Sequence, residues 1–377
     1  MSIRNNNQGS IVKPGFNPLG VQTSTTTYDL FTWGDNGAGQ LGLGNITSYS
    51  SPKQVGSLFA GSKVAGGSQF TLAIKTNGTL WSWGINTSGE LGLGSTVSKS
   101  SPNQVGALTT WSKISAGEAF TVANKTDGTL WAWGNNGQGQ LGLGNTTYYS
   151  SPKQVGSLTT WSNSTCGGIH TIATTTSGTL YAWGSNGFGQ LGLGNITDYS
   201  SPKQVGALTN WSTISGGARY SVAIKTNGTL WTWGYNTQGQ LGLGNTVYQS
   251  SPNQVGALTT WSKVSGANNF TIATKTDGTL WIWGEGSFGK LGLGNTTSYS
   301  SPKQVGALTT WSTVSSGQNY ALAIKTDGTL WSWGRNNSGQ LGDGTTTNRS
   351  SPIQVGALTT WLNIAGAMGG THTIAIG

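Results

Sequence analysis

The 377-residue chain holds 62 glycines and 18 tryptophans, yet only 8% of it is charged, with a formal net charge of +9. Disordered chains are poor in aromatics and collagen needs glycine at every third position, so both classes are excluded. The single cysteine, Cys166, rules out an internal disulfide and a cysteine-built zinc site; a buried, inert thiol is expected.

In chain order, residues 1–27 come first. Their opening, MSIRNNNQGS, lacks the apolar run of a secretory signal, and no later stretch approaches the roughly 18 apolar residues of a spanning helix. The expectation is a soluble chain with no standard export signal and no membrane contact. The segment SIVKPGFNPLG places Phe16 between Pro14 and Pro18. It matches nothing further along and reads as an extended arm that docks on a partner.

From Tyr28 onward one unit recurs. Trp-Gly stands at Trp33, Trp83, Trp133, Trp183, Trp233, Trp283 and Trp333, always 50 residues apart, each followed by a form of GQLGLGN and then SSPxQVG. Residues 28–34 read as a third strand with no first or second before it. In the first whole unit SKVAG, from Ser62, is a first strand. FTLAI, from Phe70, is the second, with Phe70, Leu72 and Ile74 on one side and Thr71 and Ala73 on the other. Asn77-Gly78 predicts a two-residue type I′ hairpin. TLWSWG is the third strand, with Trp81 and Trp83 on one face. After a Gly-rich loop comes PNQVG, from Pro102, whose proline suits the start of an edge strand. At the far end NIAG and THTIAI supply a first and a second strand. Four strands per 50 residues match a propeller blade. The expected fold is therefore all-β: a seven-bladed β-propeller with four-stranded blades over 28–377, closed by a composite blade from the N- and C-termini, with the arm at 1–27. Such closure removes exposed sheet edges. The three aromatic positions of each unit are expected to fill the space between blades.

The motif G-x-x-aromatic-Thr/Ser/Ala-aliphatic-Ala, followed by DGTLWxWG, NxxGQLGLG and SSPxQV, resembles the repeat of the regulator of chromosome condensation family across 28–377. That resemblance implies the same propeller. It also implies kinship with a family of GTPase nucleotide-exchange factors, a secreted β-lactamase inhibitor and many bacterial and viral proteins. The aromatic position, often His in the family, is Phe70, Phe120, His170, Tyr220, Phe270, Tyr320 and His372 here, and the Asp that follows LGLG in the family is mostly Asn, as at Asn45 and Asn145.

Catalytic chemistry finds little to use. His170 and His372 occupy positions held by Phe or Tyr in other units, so packed rings are expected, and no triad can be assembled. Residues 284–290, GEGSFGK, imitate a phosphate loop, but Leu291 replaces the required Ser or Thr and no helix should follow. The Asp-x-Gly fragments are too sparse for a calcium loop. No enzyme, cofactor or metal is expected.

The copies can be compared with one another. The 1–2 and 3–4 loops of every blade share one face, the top; the 2–3 hairpins and interblade links share the bottom. Bottom loops hardly vary, whereas top loops differ from unit to unit. Gln69, Glu118, Ile169, Arg219, Asn269 and Asn319 in the 1–2 loops are therefore candidate binding residues, with Asp35, Phe188, Tyr235, Glu285, Phe288 and Arg335 in the 3–4 loops. The basic charge falls on the bottom and the fourth strands, thinly spread and mostly Lys, which argues against direct nucleic-acid recognition. Near-identical repeats, an uncharged Thr/Ser/Asn/Gly surface and a docking arm resemble the viral and bacterial members of the family. The expected function is a non-enzymatic binding or structural module: a phage capsid decoration or tail appendage whose arm docks on a capsid or tail protein, hence in the virion, or in the cytoplasm of a cell if not viral. Exchange-factor-like protein binding and carbohydrate binding are the rival readings.

Overall fold

The computed structural model describes residues 28–57 and 59–377. Pro14, Phe16 and Pro18 lie outside the described residues. The strands form seven antiparallel sheets of four. In blade I they are Gly61–Gly66, Phe70–Lys75, Leu80–Gly84 and Lys99–Gln104, paired in that order. Blades II to VI repeat this over 111–154, 161–204, 211–254, 261–304 and 311–354. Blade VII is composite: Asn363–Gly366 and His372–Ile376 from the end of the chain pair with Leu30–Gly34 and Tyr49–Gln54 from its beginning. Leu30 lies opposite Ile376 and Gly34 opposite His372. Beyond the strands, Asp29 and Gly377 exchange two backbone hydrogen bonds of 3.0 and 3.1 Å.

First strands are innermost and line a narrow central channel of about 190 Å³ with small residues such as Ser115, Ser215, Ser265 and Ser315. Cys166 lies there too, buried, its Sγ donating to the Ser115 carbonyl at 3.4 Å; burial pushes its thiol up to about 12. That thiol is inert at neutral pH.

The second strands keep their period of two, but Phe70 to Ile74 are buried on both sides. Each blade stacks between two others, so neither face meets water, as in fully covered sheets. The core clusters accordingly mix neighbours: Val222, Ile224 and Leu230 of blade IV pack with Trp261, Ala273 and Trp283 of blade V. A polar staple backs this packing. The third-strand indole reaches back to the preceding blade, as Trp83 Nε1 donates to the Gln40 carbonyl at 2.9 Å, and Thr71 Oγ1 donates to the same carbonyl at 2.8 Å. Six of the seven junctions have both bonds. The V–VI junction has neither: Ala321 replaces the hydroxyl residue, and the buried Trp333 Nε1 has no partner.

Two local expectations are corrected. The fourth strand begins at Lys99, three residues before Pro102, and Pro102 falls within a register shift between Gly84–Lys99 and Ser82–Asn103. A bulge is where a missing ladder donor costs least. The hairpin is not type I′, because only Gly78 has positive φ, +77°. Gly78 N–H bonds to the Lys75 carbonyl and Lys75 N–H to the Thr79 carbonyl, the pattern of a type I turn with a left-handed glycine closing a bulge. Asn77 Oδ1 accepts from the Thr79 N–H and hydroxyl, which holds Asn77 in ordinary turn geometry.

Candidate functional site

The top face is built on two supports. Around the channel mouth the 1–2 loops bond backbone to backbone across blades: Met368 N–H to Gly66 O, Ser68 to Glu118, Glu118 to Gly168, Gly168 to Ala218 and Ala218 to Ala267, at 2.9–3.1 Å. Further out, six of the seven 3–4 loops are folded around one buried Asn. Asn36 Oδ1 accepts from Leu41 N–H, and its amide donates to the Asn45 and Thr47 carbonyls; Asn86, Asn136, Asn186, Asn236 and Asn336 are buried in the same place. Variable side chains thus stand on fixed loops.

Blade V lacks this keystone. Gly286 replaces the Asn, and a Cβ there would lie 2.1 Å from the Thr297 carbonyl oxygen, so no side chain fits. The loop instead makes a short 3-10 turn, Ser287–Gly289, with Phe288 at φ 61° and 42% exposed. A bulky residue in left-handed conformation is uncommon and marks a locally over-determined site. No α-helix follows, which disposes of the phosphate-loop likeness. Lys290, in the position of Gln in five other units, is fully buried and donates to Glu285 Oε2 at 2.7 Å and to Asn319 Oδ1 at 2.8 Å. Asn269 Nδ2 and Ser287 Oγ also donate to Glu285, at 3.1 and 2.7 Å. Burial opposes the charge on Glu285, but these donors together outweigh it and hold the carboxyl below its ordinary range. The Arg335 guanidinium stacks 5.2 Å from the Phe288 ring centroid.

A second cluster spans blades III and IV. Phe188, Tyr235 and Tyr248 pack ring on ring at 5.0–5.6 Å, and the Arg219 guanidinium lies 5.4 Å from the Phe188 centroid. Burial raises the Glu118 carboxyl above its usual range, partly offset by the Arg219 charge.

The structure therefore brings eight of the twelve expected residues into two clusters: Asn269, Glu285, Phe288, Asn319 and Arg335 in one, Phe188, Arg219 and Tyr235 in the other. Glu118, Gln69, Ile169 and Asp35 join neither. Gln69 and Ile169 only cap the following loop through their carbonyls, and Asp35 bonds within its own loop to Gln40 and Ser48. Lys290 and Tyr248 are the additions. Lys290 was detectable as the one cation among glutamines, but only contact geometry shows that it ties two blades together. Among the described residues no three His, Cys, Asp or Glu side chains converge as metal ligands, and no helix is long and apolar enough to cross a membrane.

A rigid wheel of seven blades with side-chain clusters on one face is the layout of a recognition propeller. The RCC1-like domain family matches residues 29–375, and the chain belongs to that family. No curated protein sequence matches it significantly. Among solved structures it is similar to human WBSCR16, with TM-score 0.84 and 21% identity over 93% of this chain and 98% of that one. It is also similar to Prp20p from Saccharomyces cerevisiae, a protein described with its binding to Gsp1p and histones, at TM-score 0.82 and 19% identity over 94% and 92% of the two chains. Yeast RCC1 (Prp20) in complex with Kap60 gives 0.81 and 19%, over 93% and 89%.

Proposed function

We propose that this chain is a non-enzymatic, protein-binding propeller whose top face makes the contact. The convergence of eight residues picked for their variability into two clusters carries this reading, while the bottom hairpins stay almost constant. Aromatic and Arg side chains fixed against one another are the usual anchors of protein interfaces. The fold shared with propellers described in complex with, or binding to, other proteins supports it. The test uses whatever protein co-purifies with the native chain. Arg219→Ala with Tyr235→Ala, and Phe288→Ala with Arg335→Ala, should each leave the thermal transition in place, and at least one pair should weaken retention of that protein by roughly tenfold or more. Undiminished retention by both pairs overturns the reading.

Within it, the finer assignment is a component of a larger assembly such as a phage capsid decoration or tail appendage, attached through residues 1–27. Support comes from the sparsely charged surface and from Phe16 held between Pro14 and Pro18, since prolines lower the entropy lost on docking. Removal of residues 1–27 should abolish incorporation, and Phe16→Ala should weaken it, neither moving the melt; normal incorporation after the deletion moves attachment to the propeller body. An exchange-factor role, which the family resemblance implies, predicts accelerated release of labelled nucleotide from a small GTPase. Release at the unassisted rate across a GTPase panel removes that role.

A further inference from the structure

Four junctions open on the hairpin side of the rim into nearly identical grooves: I–II, III–IV, IV–V and V–VI, of about 400, 370, 400 and 470 Å³. That is the size of a pocket for one bulky group. The III–IV groove is lined by Trp211, Trp231, Leu208, Pro252 and Lys225. Its counterparts carry Trp, Trp, Leu and Pro at the same repeat positions, with Lys125, Lys275 and Lys325 in the place of Lys225.

Three features of these grooves are unspent. Lys225 Nζ sits 3.6 Å from the Trp231 centroid, and Lys125, Lys275 and Lys325 sit at 3.6, 3.6 and 3.7 Å from theirs. Among the described residues no carboxylate lies within 4.0 Å of any of the four, although the hairpin carboxylates Asp127, Asp277 and Asp327 act on Lys125, Lys275 and Lys325 from further off, and only Lys225, followed by Asn227, has none. Trp211 is 4% exposed and its indole N–H has no acceptor, as is also true of Trp111, Trp261 and Trp311 and equally of Trp161 and Trp361 at two junctions without such a groove. Buried donors nearly always find one; Trp231, beside Trp211, donates to Thr229 Oγ1. Finally, Leu108, Leu208, Leu258 and Leu308 stand 47–50% exposed at the groove lips, a repeated apolar display of the kind that marks contact surfaces.

We propose that these four grooves dock acidic, apolar-anchored peptide segments of a protein partner. One bulky apolar side chain enters between the leucine, the proline and the indoles, while a neighbouring carboxylate meets the lysine ammonium. Charge decides the occupant. The chain's own residues 1–27 carry Arg4 and Lys13 and no acid, so a second copy's arm would set cation against cation. A sugar ring would need an open indole face, but each half-exposed indole is already covered on one face by ammonium, and leucine and proline make up much of the remaining wall. The other junctions are internal controls. II–III has Thr175 and Tyr181 where the others have Lys and Trp, VII–I has Phe59 in place of the unpartnered indole, and VI–VII ends in Gly377 against Trp361, with Phe31 beside it.

The full chain is panned at low salt against a displayed library of random dodecapeptides, and enriched peptides are synthesised with a fluorescent label. The expected consensus is Asp or Glu beside Leu, Ile, Phe or Trp, binding near four per chain. Replacing Lys125, Lys225, Lys275 and Lys325 together by Gln should weaken it about tenfold or more, and Arg at those positions should restore most of it. Those lysines also cover indoles, so a second variant alters only exposed positions: Leu108→Glu, Leu208→Glu, Leu258→Glu and Leu308→Glu together should abolish binding with the melt unchanged. No enrichment over an unrelated protein, a consensus without acid, or binding indifferent to both variants overturns the proposal. So does stoichiometric binding of polygalacturonate tighter than that of the peptides. The top-face variants should leave this binding untouched, which keeps the two readings separable.

Discussion

His170 and His372 show what burial does to a titratable ring in this wheel. Each Nε2 sits 2.9 Å from a hydroxyl of the next blade, Ser221 or Thr71, and burial lowers the rings to about 3 and about 4. Protons below pH ~6.5 therefore bind the unfolded chain in preference. The stability these rings contribute is full above that pH and drains away as pH falls through the folded values. His170→Phe, copying three other blades, should move the acid unfolding midpoint to lower pH while changing neutral stability by less than about 1 kcal/mol; an unmoved acid limb in tryptophan fluorescence would contradict this. Glu90 runs the other way. It occupies the buried position of Gln40 and Gln140, and burial raises its carboxyl, only partly offset by its backbone bonds. The fold therefore favours its neutral form, and stability is lost as pH rises through the raised value. Glu90→Gln should lift the melting temperature by roughly 1–3 °C at pH 7, with the gain gone below pH ~4. The histidines were legible as packing residues because sister units hold Phe or Tyr there. The pairing of Lys290 with Glu285 and Asn319 was not, since Asn319 lies 29 positions away and only the stacking of blade on blade brings it near.

At the scale of elements, order and number of strands were readable from the 50-residue period, and the half units at the two ends dictated the composite blade. The hairpin subtype was not, because Asn-Gly serves both turn classes and the choice rests on what lies beyond. A Cβ on Gly228 would come 2.1 Å from the Thr259 carbonyl oxygen of the following link, at φ 76°. Gly228→Ala should thus cost about 2 kcal/mol or more, read as a lowered denaturant midpoint. In blade VII, His372–Ile376 lies between Asn363–Gly366 and Leu30–Gly34. Deleting residues 371–377 strips both neighbours of their partner and exposes two strand edges. Loss of the cooperative transition, or aggregation, is expected; a full melt after truncation would refute closure.

For the whole molecule, the division into a variable top and a constant bottom was legible by comparing the seven copies, but constancy was misleading about use. Eleven tryptophans below the seven Trp-Gly positions were expected as filler between blades. Five of them, Trp81, Trp131, Trp231, Trp281 and Trp331, are half-buried at the rim, and four of these line the open grooves. Repetition hid them, since a surface repeated four times looks like scaffold when only differences are searched for. Binding there should weaken with salt because it pairs a lysine ammonium with a partner's carboxylate, whereas top-face binding through stacked rings should respond less.

The V–VI junction, with its two missing staples, gives the wheel a preferred place to breathe. Were all joints equal, opening would be shared seven ways; here one joint is short of two buried bonds, each worth about 1 kcal/mol. Amide exchange in Tyr320–Lys325 and Leu330–Gly334 should then outpace that in the matching strands of blades II to V. The Glu285–Lys290–Asn319 bridge spans this same seam from above. A partner seated on Phe288 and Arg335 would clasp the loosest joint of the ring, and its arrival should be felt as slowed exchange around the whole circumference.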